Sequence, residues 1–389
     1  MNPAAEAGAV PPAQGEILFF LRLNDRGGAE ISMLKIARGI AARGRKVTLA
    51  VYGTQAGLAR ELGFPGDIID LGAERTLSVV WPLYRLLRAG RFAHLISALT
   101  HTNIAAVIAS AATGCLAQKS IRVIATEHGN DGITACAGSS FFRKLTRACY
   151  GRAAAVVAVS QGLADQWRGI LTPQARVVAI YNPVIPDEDR PMPPPARAWM
   201  ADRDIKTVIG IGRLVAEKNF GLLVRAFAAA AATFRREQFR ELQLVILGEG
   251  DQRGRLEHLI EELGIGDKVL MPGFEPDPAP WLAYAALFVS SSQREGFGNA
   301  IVEALAQGVP VVATDCPYGP AEILGQGRWG RLIPAGDLAE LTRAMLDGLD
   351  DEDDNAKKKA EEDRRRARAA DFKASRCIDL YIDLIDNRG

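Results

Sequence analysis

Apolar positions along this chain fall into two alternating rhythms. Ile17–Leu23 is a nearly unbroken apolar run, the pattern of a strand buried on both faces. Glu30–Arg43 then places Ile31, Leu34, Ile36, Ala37 and Ile40 at helical spacing, with Gly44 to end it. The rhythm repeats through strands expected at Val47–Tyr52, His94–Ser97, Ile121–Thr126 and Val156–Val159, and Ser160 can cap the helix that follows the last. Strands separated by helical stretches predict a parallel sheet with crossover helices.

Prolines interrupt the pattern at 183–204, where Pro183, Pro186, Pro191, Pro193, Pro194 and Pro195 sit among charged residues. This is linker composition. The alternation then restarts with Lys206–Gly212, a helix over Gly221–Ala232, Leu242–Leu247, a helix over Arg253–Leu263, and short strands at Val269–Met271, Leu287–Ser290 and Val309–Ala313. A charge run from Asp347 to Arg368 reads as a solvated helix or loop. Phe372, Ile378, Leu380, Tyr381, Ile382, Leu384 and Ile385 give a last helix with an apolar side to bury. The expected organisation is a loose tail (1–15), an α/β domain (16–185), a linker (186–204), a second α/β domain (205–370) and a closing helix (371–389). Two such halves would face a central cleft.

Composition narrows the function. Of 389 residues, 48% are hydrophobic and 24% charged, with a net charge of +1. That is a globular profile and gives no footprint for nucleic acid. Cys115, Cys136, Cys149, Cys316 and Cys377 form no Cys-x-x-Cys pair, which favours a reducing compartment and argues against a structural zinc. The first fifteen residues lack the basic start and apolar middle of a signal peptide. The longest apolar stretch, Ile104–Ala117, is too short to span a bilayer. A soluble cytoplasmic protein is expected, with peripheral membrane contact still open. Phe141–Arg152 mixes basic and aromatic residues as helices on anionic membranes do, although an ordinary half-buried helix is the better reading of the sequence.

Candidate chemistry gathers at strand-to-helix junctions. Gly27 and Gly28 follow the first strand and open a helix, where the backbone can approach a phosphate. The Gly-x-Gly-x-x-Gly dinucleotide fingerprint is absent there. Arg213 and Lys218 follow the strand that ends at Gly212, and a diphosphate leaving group needs such cations. Two solvated surface cations would be the ordinary alternative. Leu247–Gly254 resembles a dinucleotide loop, but its third glycine comes one place late, so a tight turn beside a nucleotide is the better reading. His128 lies just past a strand end, whereas His94, His101 and His258 read as structural. Asp187 and Asp189, and Asp202 and Asp204, form Asp-x-Asp pairs inside the proline segment rather than at a strand end. No metal site and no cofactor is expected.

The most informative stretch is QREGFGNAIVEAL at 293–305. Glu295 precedes Gly296 and Gly298, Asn299 can cap a helix, and Glu303 falls inside it. A retaining glycosidase pair needs carboxyls roughly 5–5.5 Å apart. Eight helical residues would span about 12 Å. Two different tasks on one ligand fit better than a glycosidase pair.

Taken with RGGAE (26–30), TEHG (126–129), VAVSQGLAD (157–165), GRLVAEKNF (212–220), LGEGDQRGRLE (247–257) and EGFGNAIVEALAQGVPVVATD (295–315), that stretch resembles the retaining glycosyltransferases of family 4. The likeness runs from about Ile17 to Leu384 and implies the GT-B fold, two Rossmann-like α/β/α domains facing a cleft. It implies that Arg213 and Lys218 bind the donor diphosphate, that Glu295 contacts the donor sugar, and that Glu303 holds the ribose. Gly298, Asn299 and Ala300 would hold sugar and phosphate through their backbone. Gly28 would face the diphosphate from the other domain, His128 the reacting carbon, and Phe274 the base. The chain departs from the family at Cys316–Glu322, Cys-Pro-Tyr-Gly-Pro-Ala-Glu, where Gly-Gly-x-x-Glu is commoner. This resembles a subgroup tied to surface-polysaccharide assembly. The expected reaction is metal-independent hexosyl transfer from a nucleoside-diphosphate sugar, UDP-sugar before GDP-mannose, to a glycan or lipid-linked acceptor. A GT-B nucleotide-sugar epimerase and a non-catalytic sugar-nucleotide sensor are the alternatives.

Overall fold

The computed structural model describes residues 15–387 apart from 25, 26, 56, 62, 90, 118, 119, 189, 190, 192, 198, 199, 201, 203, 235–240 and 350–354. The tail up to residue 14, Arg26, Asp189 and the acidic cluster Asp350–Asp354 lie outside the described residues.

The first half is a seven-stranded sheet built from β1 (Glu16–Arg22), β2 (Val47–Tyr52), β3 (Asp67–Asp70), β4 (Phe92–Ala98), β5 (Arg122–Glu127), β6 (Ala155–Ala158) and β7 (Val177–Ala179). Its spatial order is β3-β2-β1-β4-β5-β6-β7, and every pairing is parallel. The run Ile17–Leu21 is buried throughout because helices cover both faces. On one face Ile17, Phe19 and Leu21 pack against α1 (Gly28–Ala42). On the other Leu18 and Phe20 meet α3 (Thr76–Arg88) and α4 (Thr100–Ala117), in a layer that also holds α5 (Asp131–Gly138), α6 (Ser140–Tyr150) and α7 (Gln161–Ile170). The short α2 is Leu58–Glu61.

The second half repeats the plan with six parallel strands. They are β8 (Ile205–Ile211), β9 (Glu241–Leu247), β10 (Val269–Gly273), β11 (Leu287–Ser290), β12 (Val311–Asp315) and β13 (Arg331–Pro334), ordered β10-β9-β8-β11-β12-β13. Its helices are α8 (Phe220–Thr233), α9 (Arg253–Glu262), α10 (Ala279–Leu282), α11 (Asn299–Ala306), α12 (Pro320–Ile323), α13 (Leu338–Gly348) and α14 (Asn355–Ala369). The charge run is thus helical from Asn355 onward, anchored where Arg365 and Arg366 donate to the carbonyls of Gly308 and Gln307. Two α/β halves on parallel sheets is the architecture the alternating pattern predicts. In each sheet the strand order reverses direction beside the first strand, between β1 and β4 and between β8 and β11. Ligands of such sheets bind outside the strand ends at that point.

Several contacts tie the halves together. The proline segment is pinned to α10: Ala196 N–H donates to the Pro280 carbonyl at 3.2 Å and Tyr284 OH to that of Pro193 at 3.1 Å. Ile185 pairs with Lys373. The last helix, α15 (Ala374–Asp386), then returns to the first half and lies on α1. Tyr381, Leu384 and Ile385 complete that core. Arg45 grips Asp386 at 2.6 and 2.7 Å, and Arg122 donates to the Ile385 carbonyl at 3.1 Å. Asp187 has a local task, its Oδ1 accepting the Ser375 N–H at 2.9 Å at the start of α15. Asp202 does likewise within its own turn, accepting from Asp204 N–H at 3.0 Å.

Candidate active site

The loop from Ser291 to Gly298 joins β11 to α11 and carries Glu295; Glu303 lies one turn and more inside α11. The cap position of α11 is held by Gly298 rather than by Asn299, which is the first helical residue; Gly298 sits at φ 110°, a left-handed conformation that favours glycine. The N–H groups of Asn299 and Ala300 therefore open toward the cleft, while Ile301 N–H already donates to the Gly298 carbonyl at 3.0 Å. Beside them lies the loop after β8. Its 3-10 turn Ala216–Lys218 puts Lys218 Nζ 2.5 Å from Glu295 Oε1, and Ser292 Oγ donates to the same oxygen at 2.7 Å. The Ser291 hydroxyl binds the carbonyls of Lys218 and Asn219 at 3.0 Å. Lys218 and Glu295 are thus one unit, the ammonium neutralised by the carboxylate. Arg213 stands at the mouth of the same loop and is exposed.

The loop at 248–254 has a structural explanation. A methyl group on Gly248 would lie 1.9 Å from the Gly212 carbonyl oxygen, and one on Gly250 would lie 2.3 Å from that of Leu214. Both glycines let this loop press against the turn that carries Arg213. Phe274 follows β10 and is 40% exposed.

Opposite these loops stands the C-terminal edge of the first sheet. His128 follows β5, and its backbone touches the Glu295 loop: a methyl group on Gly296 would lie 1.8 Å from the His128 carbonyl oxygen. Both ring nitrogens of His128 are shielded and unpartnered, although the residue as a whole is partly exposed. Burial lowers its pKa to about 4, so the imidazole is neutral near pH 7. Gly28 also comes close, since a Cβ there would be 3.5 Å from Asn299 Nδ2. Asn299 bridges the cleft, with Oδ1 accepting from Asn182 Nδ2 at 2.8 Å and Nδ2 lying 3.4 Å from Ser32 Oγ. Glu303 faces the same divide. Burial raises its pKa, the Lys35 ammonium of α1 acts against that rise, and Asp277 adds to it.

The structure therefore collects His128, Lys218, Glu295, Gly28, Asn299 and the start of α11 around one cleft. Arg213 and Phe274 stand at its rim, and the other histidines are elsewhere: His94 is buried in β4, His101 lies against Phe142 on α4, and His258 is exposed on α9.

Family models match both halves. Residues 26–188 match Glycosyltransferase Family 4, and residues 197–368 match Glycosyl transferases group 1. The chain belongs to glycosyltransferase family 4. Its relatives agree. It is 35% identical over 147 residues to the N-acetylgalactosamine-N,N'-diacetylbacillosaminyl-diphospho-undecaprenol 4-alpha-N-acetylgalactosaminyltransferase of Campylobacter jejuni, a match covering 38% of each chain. It is 25% identical over 339 residues to the N-acetyl-alpha-D-glucosaminyl L-malate synthase of Bacillus anthracis, covering 84% of this chain and 86% of that one. The Campylobacter match and one to the lipopolysaccharide core biosynthesis glycosyltransferase LpsE of Rhizobium meliloti each span well under half of the relative's own length, 38% and 39%. Among solved structures, Anabaena Alr3699/HepE in complex with UDP-glucose superposes with TM-score 0.76 at 20% identity, over 96% of this chain and all of that one. The fold is GT-B.

Three features of this family 4 chain escape motif reading. Glu127, buried beside His128, accepts from Thr100 Oγ1 and Asn103 Nδ2 at 3.0 Å and from the Tyr150 hydroxyl. Burial outweighs these donors and raises its pKa to about 7. Its partners lie on α4 and α6, far away in sequence. Glu322, within the departing 316–322 stretch, crosses the cleft to accept the Gln161 N–H at the start of α7 at 2.9 Å and the Tyr181 hydroxyl at 2.5 Å. Tyr181 in turn stacks on Phe297 at 5.4 Å. The same stretch pairs with the Glu295 loop: Glu295 N–H donates to the Pro317 carbonyl and Tyr318 N–H to that of Glu295, at 2.9 and 2.7 Å.

Proposed function

We propose that this protein moves a hexosyl group from a nucleoside-diphosphate sugar to a hydroxyl of a glycan or lipid-linked acceptor, with retention at the anomeric carbon and no metal ion. The observation that carries this reading is the Lys218–Glu295 pair beside the open start of α11, with His128 directly across the cleft. As the bond from the anomeric carbon to the diphosphate breaks, negative charge grows on the leaving oxygen. Lys218, Arg213 and the first N–H groups of α11 stabilise it, and their interactions strengthen as that charge develops. Glu295 orients the sugar, Glu303 receives the ribose diol, and Phe274 lies near the base. Neutral His128 can hydrogen-bond the sugar near the reacting carbon. Gly28 and the Gly298–Ala300 backbone leave room for the phosphates. We favour UDP over GDP in the donor, in keeping with the UDP-glucose bound by the Anabaena neighbour. A surface polysaccharide or its lipid carrier as acceptor accords with the names of the Campylobacter and Rhizobium relatives. Five free cysteines suit a reducing, cytoplasmic setting.

The test is a panel of nucleotide sugars screened for thermal stabilisation, followed by transfer assays with the best binder in EDTA. Stabilisation by one UDP-sugar and EDTA-resistant transfer are expected. Activity lost in EDTA and restored by magnesium or manganese would overturn metal independence. An altered sugar released without any acceptor would favour the epimerase.

A further inference from the structure

Between residues 75 and 164 the chain carries ten Lys and Arg but only Glu127 and Asp131 as acids, against 47 and 46 over the whole sequence. Glu127 is buried. The cations of α3 and α6 sit on helices with no acidic residue, and α4 between them has neither sign. α4 lies against α3 and against α6, so the outer sides of the three make one face. That face exposes large apolar side chains: Leu77 is 91% exposed, Phe141 75% and Trp81 65%. Arg85, Arg88, Arg143 and Lys144 are exposed beside them. Among the described residues, none of these four is paired with a carboxylate.

Exposed rings and aliphatic tips of this size gain nothing in water and mark a contact surface. A protein partner would have to desolvate the neighbouring cations, and interface cores are depleted of charge. A lipid surface takes both at once, with apolar groups below the phosphates and cations at their level. We infer that the outer face of α3, α4 and α6 docks on an anionic bilayer, with Leu77, Trp81 and Phe141 seated at the headgroup boundary and Arg85, Arg88, Arg143 and Lys144 on lipid phosphates. No helix among the described residues is long and apolar enough to cross a membrane, so the contact is a surface one.

The fold gives the contact a direction. Tyr52 OH lies 3.3 Å from Thr76 Oγ1 and 2.8 Å from Thr102 Oγ1, and the His101 and Phe142 rings are 5.3 Å apart. The three helix starts are thereby gathered at the C-terminal edge of the sheet, the edge that carries His128. Leu77 and Phe141 belong to those starts, so docking through them brings the cleft mouth toward the bilayer, where a lipid-borne acceptor would be.

The experiment is co-sedimentation of the full chain with phosphatidylcholine vesicles and with equimolar phosphatidylcholine–phosphatidylglycerol vesicles. It is read without turnover, so its failure would leave the transfer reading standing. Binding to the anionic vesicles alone is expected, weakening with added salt. Arg85→Glu with Arg88→Glu, and Arg143→Glu with Lys144→Glu, should each lower the partition coefficient by about fivefold or more per cation. Leu77→Ser with Trp81→Ser should lower it with every charge intact. The tryptophan emission of the wild type should shift to the blue on anionic vesicles and lose part of that shift in Trp81→Phe, which also decides the matter if a double variant does not fold. Equal binding to both vesicles, no binding, charge-reversed variants that partition like wild type, or a dimer abolished by Trp81→Ser without vesicle binding would each overturn the proposal.

Discussion

The two glutamates of the β11–α11 junction are separable by kinetics. On the proposed ribose role, Glu303→Ala removes hydrogen bonds to a charged acceptor, worth about 1.5–3 kcal/mol each, so the donor KM should rise roughly ten- to a hundredfold. A donor lacking the ribose hydroxyls should bind wild type and variant alike. Glu295→Ala should chiefly lower kcat, because the role proposed for Glu295 is to orient the reacting sugar, and it also releases Lys218 from its partner. Steady-state kinetics with both donors decides this, and a Glu295→Ala enzyme altered in KM alone would reduce that residue to a binding group. Beside them, Glu127 and His128 titrate in opposite senses. Folded Glu127 keeps its proton to about 7, above the ordinary 4.5, so between those values the folded protein binds more protons than the unfolded chain and stability falls as pH rises. Folded His128 has its pKa lowered to about 4 from 6.5, so there the unfolded chain binds more and stability falls on acidification through that window. Because the two windows overlap, the opposing slopes largely offset in the wild type, and Glu127→Gln should remove the Glu127 contribution and unmask the loss on acidification that His128 causes, as thermal midpoints measured from pH 4 to 8 would show. Glu295, Glu303, Lys218 and His128 stand out in the sequence because each sits in a contiguous stretch beside glycines. The surroundings of Glu127 do not, because Thr100, Asn103 and Tyr150 meet it only once three elements have packed.

At the scale of elements, α15 offers the sharpest test. A Cβ on Gly39 would lie 2.0 Å from Ile378 Cδ1, so α1 is smooth where Ile378 crosses it. Ile378→Ala should cost about 2–5 kcal/mol, as other buried aliphatic truncations do. Gly39→Ala should be destabilising alone yet cost less in the Ile378→Ala background, a coupling that chemical denaturation of both single variants and the double variant would reveal. Additive costs would mean that the two residues do not share this contact. The apolar side of this helix was readable from Ile378, Tyr381, Leu384 and Ile385, and most strands were readable from their apolar runs. β3 was not: Asp67–Asp70 is an edge strand of four half-exposed or exposed residues with an acid at each end. Nor was α3, where Pro82 interrupts the helical pattern of Val79, Leu83 and Leu87. Composition marks the proline segment as a linker but is silent on its packing, because the bonds that hold it come from the α10 and Lys373 regions.

For the whole molecule, the closed arrangement rests on a few short contacts at the cleft itself. Gly296→Ala would drive a methyl group into the His128 carbonyl, a backbone atom with little freedom to move. The variant should therefore hold the halves apart, with a larger radius of gyration by small-angle scattering and a loss of transfer that excess donor does not restore. Unchanged scattering would show that the contact is not what sets the closure. The return of α15 has a consequence in time as well as in space. A ribosome delivers α1 before the second half and Tyr381, Leu384 and Ile385 after it, yet these residues share one core. The nascent first half must wait with the Gly39 side of α1 uncovered while the whole second half is made. Domains that are complete on emergence can fold one by one during synthesis. Here the first half is finished only by a helix made after the second, so a message stalled or stopped before α15 should yield an aggregating fragment rather than a dormant half-enzyme.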